Sequence, residues 1–118
     1  MLPEERLRRR ADFLRCYRRG RRHHGRLITL YVVQRGPAAQ QARLGITVTR
    51  KVGGAVVRHR VKRRIREIYR RWELRRRLPA LDLVVHAKPQ AREADFEALR
   101  SEMIDLLEPL GERGRRTG

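Results

Sequence analysis

The chain has 118 residues, which is enough for one small domain with a single modest core. Its 31 Lys and Arg residues against 13 Asp and Glu residues give a formal net charge of +18, and such self-repulsion disfavours a compact state unless an anionic partner relieves it. The single cysteine excludes an intrachain disulfide and a cysteine-based zinc site, and the longest apolar run, residues 27–33, is too short to span a bilayer. We therefore expect a reducing, cytoplasmic location, no membrane contact, and nucleic acid as the partner.

The positive charge is concentrated in the first two thirds of the chain. Residues 1–77 carry 25 Lys and Arg residues against 5 acidic residues, a net charge of +20, whereas residues 78–118 carry 6 against 8, a net charge of −2. The surface that meets an anionic partner should therefore lie within residues 1–77.

The chain begins with a basic segment and a short predicted helix. Residues 1–10 have no sustained hydrophobic period and are interpreted as a basic N-terminal arm. In ADFLRCYRRG, Phe13 and Tyr17 fall on one helical face, and Gly20 favours a helix end at that point. The segment therefore predicts a short amphipathic helix.

Two β-branched segments follow. LITLYVVQR and RLGITVTR, the second at residues 43–50, each predict a strand, because their Val, Ile and Thr residues favour extended backbone. A loop at residues 36–42, which contains the turn signal Gly36-Pro37, separates them. We therefore expect the two strands to pair as a hairpin.

The second half of the chain predicts two helices with a strand between them. After KVGGAVV, helical periodicity begins near Ala55 and runs to about Arg77. LDLVVHA at residues 81–87 predicts another strand, and an amphipathic helix begins near Ala94. The chain thus divides into three parts: the basic arm at 1–10, one domain at 11–110 and a disordered basic tail at 111–118.

The predicted central helix has two distinct faces. At 100° per residue, its apolar residues occupy an arc of roughly 80° that should pack on the sheet: Val57, Val61, Ile65, Ile68 and Trp72. An adjoining arc of about 140°, with Glu67 beyond its edge, carries most of the cationic residues and one histidine: Arg58, His59, Lys62, Arg63, Arg66 and Arg70. A solvated helix face usually mixes charge signs, because like charges at i, i+4 spacing destabilise a helix. The second arc therefore predicts a nucleic-acid surface.

The stretch GITVTRKVGGAVVRHRVKRRIREIYRR, residues 45–71, resembles the motif of the bacterial ribonuclease P protein component, in which a Lys-Val-Gly turn leads into a basic helix. ADFLRCYRRG, LITLYVV and LDLVVHAKP are similar to that family's first helix, first long strand and late strand. His59 departs from the pattern, since most members carry Asn there, and Gly54 replaces a commoner polar residue. The resemblance implies a small single-domain α/β (α+β) sandwich of order αβββαβα, with a left-handed βαβ crossover that carries the basic helix.

The resemblance also implies a function, as the RNA-binding protein subunit of a ribonucleoprotein endoribonuclease. Such a subunit assists a catalytic RNA in removing the 5′ leader of precursor tRNA, and no further protein partner is required. Mg²⁺ is expected at the RNA active site, so no catalytic residue, metal site or bound cofactor is expected in the protein. The residues that the resemblance assigns to the RNA subunit are Arg50, Lys51, Arg58, His59, Arg60, Lys62, Arg63 and Arg66. Those that it assigns to the leader are Phe13, Tyr17 and Tyr31.

Alternatives stay open at the level of the residues. Core packing explains Phe13 and Tyr17 as well as leader binding does. Composition alone also fits a structural protein that binds ribosomal RNA. A DNA-binding regulator is less favoured, because the central helix offers only His59 as a reader of base edges. A protein-only nuclease is disfavoured, because the aspartates are scattered along the chain rather than clustered to hold metal ions.

Overall fold

The computed structural model describes the backbone of residues 3–117 and the side chains of residues 4–111. Its main elements, in chain order, are α1 (Arg10–Arg19), β1 (Arg21–His24), β2 (Ile28–Gln34), β3 (Arg43–Thr47), α2 (Ala55–Arg71), β4 (Leu81–Ala87) and α3 (Phe96–Thr117). Short 3₁₀ turns lie at Pro3–Glu5, Glu73–Arg77 and Pro89–Arg92. The α+β class and the order αβββαβα are therefore confirmed. The predicted disordered tail at 111–118 falls, apart from Gly111, outside the described side chains and stays a prediction.

The four strands form one mixed sheet in the order β1-β2-β4-β3. β2 is antiparallel to both β1 and β4, whereas β3 and β4 are parallel. The predicted hairpin of the second and third strands is therefore wrong, because β4 lies between them. β4 is buried along nearly its whole length. A continuous apolar run of this kind is typical of a central strand that is covered on both faces, and α2 supplies the crossover from β3 to β4.

The first strand, β1, has no counterpart in the sequence prediction. Its residues, RRHH, are polar and show no alternation that would mark a half-buried strand. It lies at the edge of the sheet and pairs only with β2, with Arg22 opposite Tyr31 and His24 opposite Thr29. Its formation therefore depends on the pairing partner rather than on its own composition, and its charges suit an edge position.

The sheet separates two apolar layers. Successive residues of β4 point to opposite faces: Leu83 and Val85 join the main core, whereas Val84 joins a smaller cluster. The main core contains the buried residues of α2 and α3. The smaller cluster contains Cys16 of α1 and Leu7. α1 therefore covers one face of the sheet, and α2 and α3 cover the other. None of the described helices is both long and apolar enough to cross a membrane.

A buried carboxylate ties α1 to the sheet. Asp82 of β4 is 0% exposed. Its oxygens accept a hydrogen bond of 2.7 Å from Arg15 of α1 and two of 2.8 Å from Arg43 of β3. Arg35 lies 3.7 Å from the same carboxylate. Three cationic side chains from three segments thus converge on one anion, which satisfies the requirement that a buried charge be paired.

The central helix is shorter than its sequence period predicts. The prediction that the helix reaches about Arg77 is wrong, because α2 ends at Arg71. Trp72 leaves the helical conformation and buries its ring, which is 8% exposed, and a 3₁₀ turn follows at Glu73–Arg77. Burying this large side chain outweighs continuing a helix whose last residues are charged and exposed.

Part of the N-terminal arm lies against the sheet. Leu7 is 6% exposed, and its N–H donates a hydrogen bond of 2.9 Å to the carbonyl of Leu44. Gln41 donates from Nε2 to the carbonyl of Glu4 at 3.0 Å. Both apolar burial and hydrogen bonding therefore attach residues 4–7 to β3 and to the loop before it, while the domain boundary at residue 11 stays a prediction.

Candidate nucleic-acid interface

The predicted apolar stripe holds α2 on the sheet. Its members are buried or, in the first case, partly buried: Val57, Val61, Ile65, Ile68 and Trp72. Tyr69 is buried too, although the wheel places it within the cationic arc, and its ring lies 6.4 Å from that of Trp72. Burial raises the pKa of the Tyr69 phenol. The stripe and Tyr69 together fix which side of α2 faces solvent.

That solvent-facing side carries a set of residues that we name the basic face, defined as Arg50, Lys51, Arg58, His59, Lys62, Arg63 and Arg66. Arg58 and Arg66 are partly exposed and the other five are exposed. Within the part of the chain that the structure describes, none of them lies within salt-bridge distance of a carboxylate. The basic face is therefore electrostatically uncompensated by the protein itself.

Glu67, the one acidic residue of α2, pairs with arginines outside the basic face. Glu67 accepts from Arg70 at 2.5 Å and lies 2.6 Å from Nε of Arg71. The hydrogen bonds from Arg70 are the main cause of a lowered pKa at Glu67. Arg70, which the wheel places in the cationic arc, is thus paired. The unpaired part of the arc is confined to the basic face.

Arg60 is a predicted site residue that the structure places apart from the others. Its guanidinium donates to the carbonyl of Arg92 at 3.2 Å, and Arg64 donates to the carbonyl of Ala94 at 3.2 Å. Both bonds attach the opposite flank of α2 to the segment that precedes α3. Arg60 therefore has a structural partner within the described chain, whereas the basic face does not.

The turn before α2 brings Arg50 and Lys51 next to the helix. Val52 is buried, and its N–H donates to the carbonyl of Thr49 at 3.0 Å. A Cβ at Gly53 would lie 2.8 Å from Val57, so this close approach requires glycine. α2 then begins at Ala55 without a side-chain cap and without an acidic residue in its first turn. The positive end of the helix dipole therefore adds to the field of the basic face.

The three residues predicted for the leader come together on the α1 face of the sheet. We name them the aromatic cluster: Phe13, Tyr17 and Tyr31. All three are partly exposed, and the rings of Tyr17 and Tyr31 meet edge to face with centroids 4.7 Å apart. Phe13 packs over Gly45, where a Cβ would lie 2.6 Å from its ring. The cluster combines packing with exposed aromatic surface.

The hydroxyl of Tyr17 links the cluster to the sheet. It donates to Thr47 at 2.8 Å and shares a second hydrogen bond of 3.0 Å with Nδ1 of His86. Burial raises the pKa of Tyr17. The Tyr17 and His86 rings also meet edge to face at 5.9 Å. The polar end of Tyr17 is therefore fixed, and its ring is held in one orientation.

Thr47 and His86 are site residues that reasoning from the sequence did not identify. The strand register places Thr29, His86 and Thr47 in one row across β2, β4 and β3. The alternation of β4 was visible in the sequence, because His86 lies two residues from the α1-facing Val84. The row can be predicted only when the order of the strands is known, and the predicted hairpin gave the wrong order.

The turn that carries Arg50 and Lys51 begins just after Thr47, the residue of β3 that accepts from Tyr17. The pKa of His86 is lowered, chiefly by burial and then by the charge of Lys51. Lys51 follows Thr47, the last residue of β3, by four residues, so it lies at the end of the sheet where the row supports Tyr17. A single strand whose bases contact the aromatic cluster can thus have its phosphates near the turn.

The described side chains offer neither a metal centre nor an activated nucleophile. No group of three His, Cys, Asp or Glu residues in the described part of the chain is placed to hold a metal ion. Cys16 is buried, and burial raises the pKa of its thiol to about 11, so it is a thiol at neutral pH. The carboxylate of Asp82 forms salt bridges with Arg15 and Arg43. The arrangement suits binding of an anionic, partly single-stranded ligand.

The sequence of this chain matches one protein family. A protein-family model described as Ribonuclease P matches residues 1–111. A Desulfovibrio desulfuricans ribonuclease P protein component is 45% identical over 111 residues, covering 91% of this chain and 84% of that relative. A Clostridium novyi component is 35% identical over 111 residues, covering 94% and 97%.

Solved structures agree with the sequence comparison. The RNase P protein of Thermotoga maritima superposes with a TM-score of 0.77 at 32% identity, covering 89% of this chain and 96% of that one. The RNase P protein of Staphylococcus aureus gives a TM-score of 0.79 at 29% identity, covering 88% and 93%. Sequence and fold agree, and the chain belongs to the ribonuclease P family, as a protein component of that ribonucleoprotein endoribonuclease.

Proposed function

We propose that the chain binds the RNA subunit of ribonuclease P through its basic face and binds the single-stranded 5′ leader of precursor tRNA at the aromatic cluster. The observation that carries the proposal is that the unpaired cationic turn follows β3 directly, at the end of the strand where Thr47 holds Tyr17 of the partly exposed aromatic cluster. In the cytoplasm the protein would assist the RNA in removing the leader, without a further protein partner.

The basic face supplies affinity rather than sequence recognition. Arg58, Lys62 and Arg66 are like charges at i, i+4 spacing, which destabilises an isolated helix by a few tenths of a kcal/mol per pair. Phosphates of a bound RNA remove this repulsion and release counterions. Each neutralised phosphate contributes about 0.7 to 0.9 to the slope of log affinity against log salt. Such contacts position the RNA subunit on the protein.

The aromatic cluster supplies recognition of unpaired bases. Stacking on an aromatic side chain contributes about 1–3 kcal/mol per base and tolerates any base. Tyr31 suits this role better than Tyr17, because the hydroxyl of Tyr17 is already hydrogen-bonded to Thr47 and His86. The cluster therefore distinguishes a precursor tRNA, which has a leader, from a mature tRNA, which has none.

The proposed division of labour leaves hydrolysis to the RNA. Mg²⁺ ions held by the RNA subunit would activate water and stabilise the leaving oxygen. The described side chains lack a carboxylate cluster that would hold these ions in the protein. The protein's own contribution is to bind the two RNAs and orient them.

Reconstitution tests this division directly. Protein freed of RNA should cleave nothing, whereas protein added to the ribonuclease P RNA should stimulate leader removal at low Mg²⁺. The measurement is the rate of leader release from precursor tRNA with the RNA alone, the protein alone and both together. Leader cleavage by the RNA-free protein would contradict the proposal.

The basic face is tested by a double charge reversal, Lys62→Glu with Arg63→Glu. Both residues are exposed and have no structural partner among the described residues, so the fold should survive. Affinity for the ribonuclease P RNA should fall, with a shallower salt dependence. The matched control reverses two exposed arginines near and on α3, Arg92→Glu with Arg100→Glu. Equal losses for the two variants would assign the effect to net charge alone.

The aromatic cluster is tested by Tyr31→Ala in the reconstituted complex. Affinity for precursor tRNA should fall about tenfold, since one stacked base is lost, and affinity for mature tRNA should not change. Val33→Ala is the control, because Val33 lies on the same strand as Tyr31 and, like it, packs against the buried cluster of Leu7, Cys16 and Val84. A Tyr31 variant that loses precursor and mature tRNA equally would reject the leader assignment.

A further inference from the structure

A second group of cationic side chains lies at the opposite end of the sheet from the turn. They line a cleft of about 490 Å³ beside the start of β3, and we name them the arginine cleft: Arg6, Arg8, Arg9, Arg35 and Arg43. Glu4 and Asp12 are the acidic residues that also line it. The lining therefore carries five guanidinium groups against two carboxylates, a net charge of +3.

Two walls of the cleft are held rigidly. Arg43 contacts Asp82 through two hydrogen bonds of 2.8 Å, and its Nη2 lies 3.6 Å from Asp12. Arg35 donates to the carbonyl of Gln41 at 2.5 Å and lies 3.7 Å from Asp82, whose oxygens are already bonded to other arginines. The guanidinium of Arg35 is thus fixed in place and shares the Asp82 carboxylate with Arg15 and Arg43.

The third wall is held by the N-terminal segment. Leu7 is buried and hydrogen-bonded to Leu44, so the residues on either side of it are anchored at the cleft. Arg6, Arg8 and Arg9 are exposed, and none of them lies within salt-bridge distance of a carboxylate among the described residues. Three unpaired guanidinium groups are therefore presented from an ordered backbone.

The chemistry of these groups selects one class of ligand. A guanidinium binds a phosphate oxygen pair in a bidentate manner, and several of them around one concavity concentrate positive potential. Arg43, which lines the cleft, and Thr47 of the Thr29–His86–Thr47 row are four residues apart on β3, which is about 13 Å along an extended strand. It is therefore a separate site from the turn, whereas Asp12 places it beside Phe13 of the aromatic cluster.

We propose that the arginine cleft binds a phosphodiester of an RNA backbone, as a second anchoring point apart from the basic face. This inference rests on the proposed function, because the available RNAs are the RNA subunit and precursor tRNA. A phosphate held at each end of the sheet fixes the rotation of the protein on its RNA, which one contact area does not do by itself.

The test replaces Arg8 and Arg9 together by glutamine, which removes two charges from the cleft without touching Leu7. Affinity is measured over a salt series for the RNA subunit alone, and for precursor tRNA with the assembled complex. We expect roughly tenfold weaker binding in the arm whose RNA supplies the phosphodiester, with a slope reduced by about 0.7 to 0.9. The paired variant Arg92→Gln with Arg100→Gln is the control.

Unchanged affinity in both arms, or a loss equal to that of the control, would overturn the inference. The variant Lys62→Glu with Arg63→Glu is measured beside it. If that variant weakens binding while Arg8→Gln with Arg9→Gln does not, the arginine cleft fails and the proposed function stands. If the basic-face variant has no effect either, the proposed function fails.

Discussion

Replacing Asp82 by asparagine should be among the most damaging single substitutions in this chain. The carboxylate is fully buried and accepts three charge-assisted hydrogen bonds of 2.7–2.8 Å from Arg15 and Arg43. An amide keeps one acceptor, loses the charge and turns an N–H group toward the guanidinium groups. Because these bonds join α1 and β3 to β4, the substitution should also weaken the packing of α1, which carries Phe13 and Tyr17, against the sheet.

The magnitude follows from what is left unpaired. Removing one partner of a buried ion pair costs about 3–5 kcal/mol of unfolding free energy. The side chains of Arg15 and Arg43 are 36% and 23% exposed, so water can partly solvate them once the carboxylate is gone. We therefore expect a loss of about 3 kcal/mol. With an m value of about 2 kcal/mol/M, the urea midpoint should fall by about 1.5 M.

The control for this substitution is Asp105→Asn. Asp105 is exposed on α3, and the substitution changes the net charge by the same amount. Its unfolding free energy should stay within about 0.5 kcal/mol of the parent value. A loss below about 1 kcal/mol for Asp82→Asn, at an unchanged m value, would refute the reasoning that the buried carboxylate holds α1 on the sheet.

Three further predictions concern stability. Glu102→Gln should lower the unfolding free energy by about 2 kcal/mol, because its carboxylate accepts from the backbone N–H groups of Arg26, Leu27 and Ile28, whereas the exposed Glu108→Gln should be neutral in the same urea titration. Gly45→Ala should cost about 1–3 kcal/mol by displacing Phe13, and Gly36→Ala, which meets nothing within 4 Å, should not. The pKa of His86 is lowered by burial, so its contribution to stability is fully present above pH 6.5 and is lost as the pH falls through the lowered pKa. Urea midpoints across that pH range should therefore depend less on pH in His86→Gln, and an identical dependence would contradict this assignment.

Local pattern in the sequence was sufficient for the parts that depend on nearby residues. The apolar stripe of α2 and its cationic arc follow from helical geometry alone, and burial of Val61 and Ile65 agrees with them. The strand at Leu81–Ala87 follows from its continuous apolar run. The motif at residues 45–71 carried the family, and with it the expectation of an RNA partner.

Other features required contacts between distant segments. The strand order is set by β4 entering between β2 and β3, which no local pattern encodes, and β1 exists only as a partner of β2. The end of α2 at Arg71 reflects burial of Trp72 rather than loss of helical period. In each case a long-range contact changes the free energy more than local propensity does.

The candidate site also combines features that local sequence pattern predicts with features that depend on contacts between distant segments. The residues of the basic face and of the aromatic cluster could be named from the sequence, because the motif at residues 45–71, the first helix and the first long strand are each recognisable from local pattern. Only the tertiary structure decided that Tyr17 is fixed by Thr47 and His86, that Arg60 is bonded elsewhere, and that the arginine cleft exists. Side chains far apart in sequence share a surface only after strand register and helix packing are set, and those depend on the whole core.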